Sequence, residues 1–334
     1  MEPAQPQAGW PAVAAACGLP GTVVEVAQVS RAWSNRLYRV TTGEGEFAVK
    51  HLLNPWADPL WREWLDEASR FEQAAIAAGV SAPDLVLNGD SEVLTTVEGD
   101  TFRVHRWVDD ARPCPDAPTE AALARQVGAD LARMHRLDWQ PGRTDVFPTL
   151  DPATARSWSG LVADLAAVDP EWAERAAAVQ PQVDQVLAWH AEHQARPEST
   201  VMSHGDVDPK NLVVDGDQKV WVLDWDVAAP WRPWDELART ALSMSGHDRP
   251  DIAREVIEAY TEVAGVRPRL THLNLVADLV VGLDWTDRCL RRTTGLEPCD
   301  DQRRAEATEG AADELASLPE IIEIARNLPD WLTS

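Results

Sequence analysis

Short apolar runs separated by turn residues fill the first third of the chain, and helical periodicity governs most of the rest. Residues 22–29 are mostly apolar, 30–36 form a polar loop, and 37–41 and 46–50 flank the turn Thr42-Gly43-Glu44-Gly45. That pattern predicts a hairpin system. Runs at 93–96 and 102–108 predict two more strands around Glu98-Gly99-Asp100. Between them, Leu60, Trp64, Phe71, Ala75 and Ala78 recur near one face, with Gly79 and Pro83 beyond, so 60–78 reads as a helix. Leu123, Val127, Leu131 and Met134 predict a core helix over 120–136. An Ala-rich helical stretch follows over 161–193, bounded by Asp151-Pro152 and Arg196-Pro197, and 251–263 and 273–290 predict further helices.

One hairpin interrupts the helices. Leu212-Val213-Val214 and Val220-Trp221-Val222-Leu223 are apolar runs separated by Asp215-Gly216-Asp217, a strong turn signal. Such a hairpin brings Asn211, before the first strand, close to Asp224, after the second. An amide oxygen and a carboxylate converging on one point suit a hard divalent cation such as Mg2+, which prefers oxygen ligands and keeps positions for water and phosphate. Asp206, on the preceding loop with His204 and Gly205, is then free to accept a proton from a hydroxyl that attacks a phosphoryl group.

Size and charge narrow the picture. With 334 residues and 45% hydrophobic content the chain can bury a large core. No apolar run reaches the roughly 18 residues of a spanning helix, and the first basic residue is Arg31, so the early apolar stretch lacks the basic start of a secretory signal. A cytoplasmic protein without membrane association is expected. Cys17, Cys114, Cys289 and Cys299 have no paired spacing, which points to reduced, packing cysteines rather than zinc or disulfides. A net charge of -25 argues against nucleic acid as a partner. It favours a cationic small molecule, although solubility explains the same charge.

The segment His204-Gly205-Asp206, with Asn211 five residues later and Leu223-Asp224-Trp225-Asp226 ending the hairpin, resembles the aminoglycoside phosphotransferase and choline kinase superfamily. That resemblance implies an α+β, bilobal protein-kinase-like fold, with a small β-rich N-lobe and a large, mostly helical C-lobe. It places a nucleotide-covering lobe at 1–103, a hinge at 104–110 and a catalytic and substrate-binding lobe at 111–334. It makes Asp206 the catalytic base, Asn211 and Asp224 the Mg2+ ligands, and His204 a brace for the loop. Lys50, one of only three lysines, ends the strand at the place where kinases hold nucleotide phosphates. Glu67, or Glu63 one turn earlier, is its expected partner. Neither G-x-G-x-x-G nor a Walker A sequence occurs, so the loop of Ser34 and Asn35 takes the phosphate-covering place. His105 and Trp107 fall in the hinge segment that holds adenine by its backbone, with Ala48, Val213 and Leu223 as apolar walls. Asp235, in Trp234-Asp235-Glu236-Leu237-Ala238, is expected to cap a helix and fasten the catalytic loop.

Asp208 and Lys210 depart from the family's usual His-Pro-Gly and are read either as reporting on substrate or as a solvated loop tip. Of the 16 tryptophans most are expected to pack; Trp285, between Asp284 and Asp287, is the candidate for contact with an amine-bearing acceptor. The expected function is an ATP- or GTP-dependent, Mg2+-requiring kinase of a small-molecule hydroxyl. An aminoglycoside or related antibiotic leads as acceptor, followed by a metabolic choline, homoserine or aminosugar. No A-P-E pattern follows Asp224, which disfavours a protein substrate. The reading from another class is a catalytically idle nucleotide-binding scaffold, against which stands the complete set Lys50, Asp206, Asn211 and Asp224.

Overall fold

In the first sheet, side chains alternate between two faces. After helix α1 (Trp10–Ala16) come strands β1 (Val23–Val29), β2 (Arg36–Thr42) and β3 (Gly45–Leu52), then helix α2 (Trp61–Ala77). Strands β4 (Leu85–Val86), β5 (Leu94–Val97) and β6 (Asp100–Arg106) follow. The order in the sheet is β1-β2-β3-β6-β4, with β5 also on β6. Tyr38 and Val40 of β2, Phe47 and Val49 of β3, and Phe102 and Val104 of β6 point to one face and pack with Val13, Ala14 and Cys17 into a core. Period-2 alternation therefore sends Ala48, Lys50, Arg103 and His105 to the opposite face. The antiparallel register sets Lys50 directly opposite Arg103 and Ala48 opposite His105.

The computed structural model describes residues 8–29, 35–53, 58–196 and 198–332. Most of the expected 30–36 loop, Ser34 included, lies outside them. The described residues form two compact units. The first takes Met1–Asp116, Ala129–Phe147 and Val201–Pro230. Besides the sheet it holds β7 (Arg112–Pro113), the second half of helix α3 (Ala121–Arg136), β8 (Val201–Ser203) and the hairpin β9 (Leu212–Val214) and β10 (Val220–Val222). Strands pair as β10-β9-β7, and β8 pairs with β11 (Ala229–Trp231).

The second unit takes Ala117–Gly128, Pro148–Thr200 and Trp231–Ser334 and is helical. The single stretch expected over 161–193 is three helices, α4 (Ala153–Val168), α5 (Pro170–Ala178) and α6 (Gln180–Gln194). Asp169 makes the first break: its carboxylate accepts from the backbone N–H groups of Glu171 and Trp172, and Pro170 starts the next helix. Pro181 sits in the same way at the start of α6. Helices α7 (Pro233–Met244), α8 (Pro250–Ala264), α9 (Val276–Thr294), α10 (Asp301–Arg326) and α11 (Leu328–Trp331) complete the unit. Gly128 lets α3 approach α8, since a Cβ there would lie 2.1 Å from the carbonyl oxygen of Val256. Both units together give the mixed class expected from the sequence, with antiparallel strands early and helices late. Among the described residues no helix is long and apolar enough to cross a membrane. Cys17, Cys114 and Cys289 are buried free thiols, and Cys299 is a half-buried one.

Candidate active site

The loop before β9 is organised by one histidine and the backbone of one residue, Leu223. His204 is fully buried; its Nε2–H donates to the carbonyl oxygen of Leu223 at 2.8 Å, and its Nδ1 accepts from the Asp206 N–H at 3.2 Å. These partners fix a single neutral tautomer. The Leu223 N–H in turn donates to the Asn211 carbonyl oxygen at 2.8 Å, extending the β9–β10 ladder by one rung. Gly205, at φ 79°, makes the turn that a side chain would resist, and Asp224 itself stands at φ 65°. Asn211 Nδ2 donates to Asp206 Oδ2 at 2.8 Å and to the Asp206 carbonyl oxygen at 2.9 Å, while Lys210 Nζ stands 3.3 Å from Oδ1. Asp206, Asn211 and Asp224 are thus tied together through backbone and side chain, as the spacing predicts.

Lys50 projects from β3 to the same place. Its Nζ donates to Asp224 Oδ1 at 2.5 Å and to Asp226 Oδ2 at 2.9 Å. Burial pulls the ammonium pKa down, but the two carboxylates outweigh it and raise the value, with Arg103 opposing them. Asp226 Oδ1 accepts from Arg103 at 2.7 Å, and Arg103 also pairs with Glu72. His105 Nε2–H donates to the other oxygen of Glu72 at 2.9 Å. Burial raises the Asp226 pKa, yet Lys50 and Arg103 reverse the sign and bring it to about 2. His105 is held well below the ordinary imidazole value by burial and by the cations Arg103 and Lys50, against the pull of Asp226.

This network corrects the expected lysine partner. Neither Glu67 nor Glu63 pairs with Lys50: Glu67 accepts from Arg70 at 2.8 Å and from the Gly142 N–H at 3.0 Å. The reason is rotation about the helix axis. Leu65, Ala68, Glu72 and Ala75 lie on one buried stripe of α2 at i, i+3, i+7 and i+10, while Glu67, buried as well, points to Gly142 instead. The stripe carries Glu72 inward, where simple polarity places it in water. Arg103 and His105 had a signal too, as polar residues alternating with Phe102 and Val104 in a strand bounded by neighbours on both sides.

Other expected positions divide. Ser34 lies outside the described residues. Asn35 donates to Asp226 at 3.0 Å and accepts from the Leu53 N–H at 3.1 Å, so it braces this network. Ala48 shares the face of Lys50, while Val213 and Leu223 are half-buried on one face of the hairpin with Asn211. Trp107 donates its N–H to the Glu46 carbonyl oxygen, and Arg39 lies 4.9 Å from its ring. Asp208 caps the 3-10 turn Pro209–Asn211 by accepting from the Lys210 N–H at 2.9 Å. Asp235 does not cap α7; it lies inside the first turn, where His193 and Asn274 take its carboxylate at 2.7 and 2.9 Å. Asp284, Trp285 and Asp287 fall in the second unit, on α9. There Asp287 accepts from Arg291, and burial raises the pKa of both aspartates.

The donor set suits a hard cation. Asn211 commits its Nδ2 to Asp206, which leaves Oδ1 as the atom to meet a metal, and the Asp224 side chain, one residue past Leu223, is 48% exposed. No cluster of three or more His, Cys, Asp or Glu able to hold a metal occurs among the described residues. An amide oxygen and a carboxylate suit an ion that completes its shell with water and phosphate oxygens.

The sequence model of the phosphotransferase enzyme family matches residues 25–273. Among solved structures, spectinomycin phosphotransferase APH(9)-Ia in complex with ADP and spectinomycin superposes with a TM-score of 0.69 at 12% identity, over 91% of this chain and 93% of that one. A choline/ethanolamine kinase family protein from Mesorhizobium loti gives 0.59 at 18% identity over 94% and 96%. Amicoumacin kinase hAmiN in complex with AMP-PNP, Ca2+ and Ami gives 0.59 at 12% identity over 87% and 88%. At these identities the likeness establishes the kinase-like fold. No curated protein sequence matches the chain significantly.

Proposed function

Because the chain belongs to the phosphotransferase enzyme family, whose model matches three quarters of its length, we propose that it transfers the γ-phosphoryl group of ATP or GTP to a hydroxyl of a small molecule. One observation carries the reading: Asp206, Asn211 and Asp224 are held as one block by the Leu223 backbone and His204, with Lys50 reaching the Asp224 carboxylate. In that arrangement Asp206 accepts the proton of the acceptor hydroxyl through a carboxylate oxygen while the acceptor oxygen bonds to the γ-phosphorus. The bond from that phosphorus to the bridging oxygen breaks, and its electron pair leaves with the nucleoside diphosphate. Lys50 binds phosphate oxygens as a compact charge, and His105 and Trp107 lie in the segment that holds the base, against Ala48, Val213 and Leu223. Mg2+, held by Asn211 and Asp224, supplies neutralisation of the phosphate charge when bound. Positioning and charge carry most of the catalysis.

An aminoglycoside or related amine-bearing antibiotic is the leading acceptor. The net charge of -25 favours a cation, and two of the fold neighbours are described with antibiotics, spectinomycin and amicoumacin. A metabolic amino alcohol or sugar of the choline, homoserine or aminosugar type is the second reading, favoured by the choline/ethanolamine kinase neighbour. Both fit a nucleotide-rich cytoplasm. The test is nucleotide hydrolysis and phosphate transfer with Mg2+ across a panel of aminoglycosides, amino alcohols and aminosugars. One stimulating compound identifies the acceptor class, whereas binding of nucleotide without transfer to any of them supports a non-catalytic scaffold. Asp206→Ala is expected to lower turnover by roughly 100-fold or more while nucleotide still binds; undiminished turnover in the folded variant removes the proposed base.

A further inference from the structure

We propose that Glu72 and Arg103 are positioning residues for Lys50, acting on it through Asp226. The inference rests on the phosphate-binding role given to Lys50 above. In the β3–β6 register Lys50 and Arg103 stand directly opposite each other on one face of the sheet, an arrangement in which like charges repel. Asp226 relieves it by dividing its carboxylate, with Oδ2 taking Lys50 and Oδ1 taking Arg103. Arg103 and Glu72 are both completely shielded from solvent, and they pair with each other. A buried guanidinium is tolerable only with its carboxylates in place, so Glu72 fixes Arg103 and Arg103 fixes Asp226. Asn35 adds a third donor to Asp226, and His105 holds the second oxygen of Glu72.

The two acid partners of Lys50 are therefore unlike. Asp224 is 48% exposed and Asp226 only 10%. The exposed contact is the one that a phosphate oxygen can replace, and the buried contact is the pivot that stays. With its oxygens taken by Lys50, Arg103 and Asn35, Asp226 is an anchor for the lysine rather than a ligand for a cation. The direct helix glutamate to lysine pair expected from the sequence becomes a relay of three residues, Glu72, Arg103 and Asp226.

A double-mutant cycle tests the relay. Lys50→Met, Glu72→Gln and the combination are compared by calorimetric binding of ATP with Mg2+ and of adenosine, which lacks phosphates, and by kcat and KM for ATP. Glu72→Gln is expected to weaken ATP binding about tenfold, within the range of coupled neighbours, and to leave adenosine binding unchanged. Added to Lys50→Met it is expected to have no further effect. Equal loss of ATP and adenosine, unchanged ATP binding, or additivity with Lys50→Met overturns the relay. Should Glu72→Gln not fold, the volume-matched pair Glu72→Met with Arg103→Met replaces it, removing both buried charges together. That pair is expected to fold and still lose ATP affinity relative to adenosine, and wild-type affinity in it overturns the proposal. A wild-type protein that binds neither ATP nor GTP removes the kinase reading and the relay with it, whereas wild-type binding with additive variants removes the relay alone.

Discussion

Asp226 and Asp235 are both removed from solvent and both hydrogen-bonded on each oxygen, yet their surroundings end differently. Asp235 is closed in: His193 and Asn274 take its oxygens, and the Asn274 side-chain oxygen accepts from the Thr271 N–H at 2.8 Å. That set stitches α6 and α7 to the 3-10 turn His272–Leu275. Asp226 belongs to a chain of alternating charges, Glu72, Arg103, Asp226 and Lys50, whose last member reaches the half-exposed Asp224. A closed polar set has nothing to exchange and holds helices together. An open one delivers a charge to the surface, and its buried portion decides where that charge sits.

Three substitutions sharpen this contrast, beginning with the largest effect. Arg103→Met strands Glu72 and Asp226 without their cation, and the expected loss of stability is about 3–5 kcal/mol, read from denaturant unfolding. A loss below 1 kcal/mol shows that the buried charges are already compensated elsewhere. Asp235→Ala removes charge-assisted bonds to His193 and Asn274 and is expected to cost about 2–3 kcal/mol. Activity per folded molecule should be unchanged, so a fall in kcat at full folding places Asp235 in the open class instead. The smallest effect concerns acid. His105 is surrounded by Glu72 from α2, Arg103 from its own strand, Lys50 from β3 and Asp226, and its folded pKa lies well below 6.5. The unfolded imidazole therefore binds the proton first. Stability from this group is complete above pH 6.5 and falls with decreasing pH towards the folded value, by up to about 1.4 kcal/mol per pH unit. His105→Gln should flatten that portion of the Tm against pH curve, and an unchanged slope means the loss comes from other groups.

The strands were legible because alternation and turn chemistry agree in them: the runs at 22–29, 37–41 and 46–50 each lie within one residue of β1, the interior of β2 and the interior of β3. The proximity of Asn211 to Asp224 was legible because a short hairpin leaves little freedom in how its ends meet. The stretch over 161–193 was not, since apolar content alone hides the breaks at Asp169-Pro170 and Gln180-Pro181. Helix α10 offered a stripe of Ala307, Ala311, Leu315, Leu318 and Ile322, with Pro319 inside it to confuse the period. Glu72 was hidden by its own chemistry, because a carboxylate in a buried stripe makes sense only once Arg103 and His105 arrive from a strand about 30 residues away.

The Leu223 backbone carries a consequence for inheritance. Its N–H and carbonyl oxygen, bonded to Asn211 and His204, set Asp224 against the Asp206 loop. Those atoms belong to the backbone, so a missense change at codon 223 alters the half-buried side chain and leaves both in place. Proline alone deletes the N–H. The placement of Asp224 is in this respect buffered against point mutation at the residue that creates it, and drift at position 223 is free to change the side chain without disturbing the backbone bonds beside it.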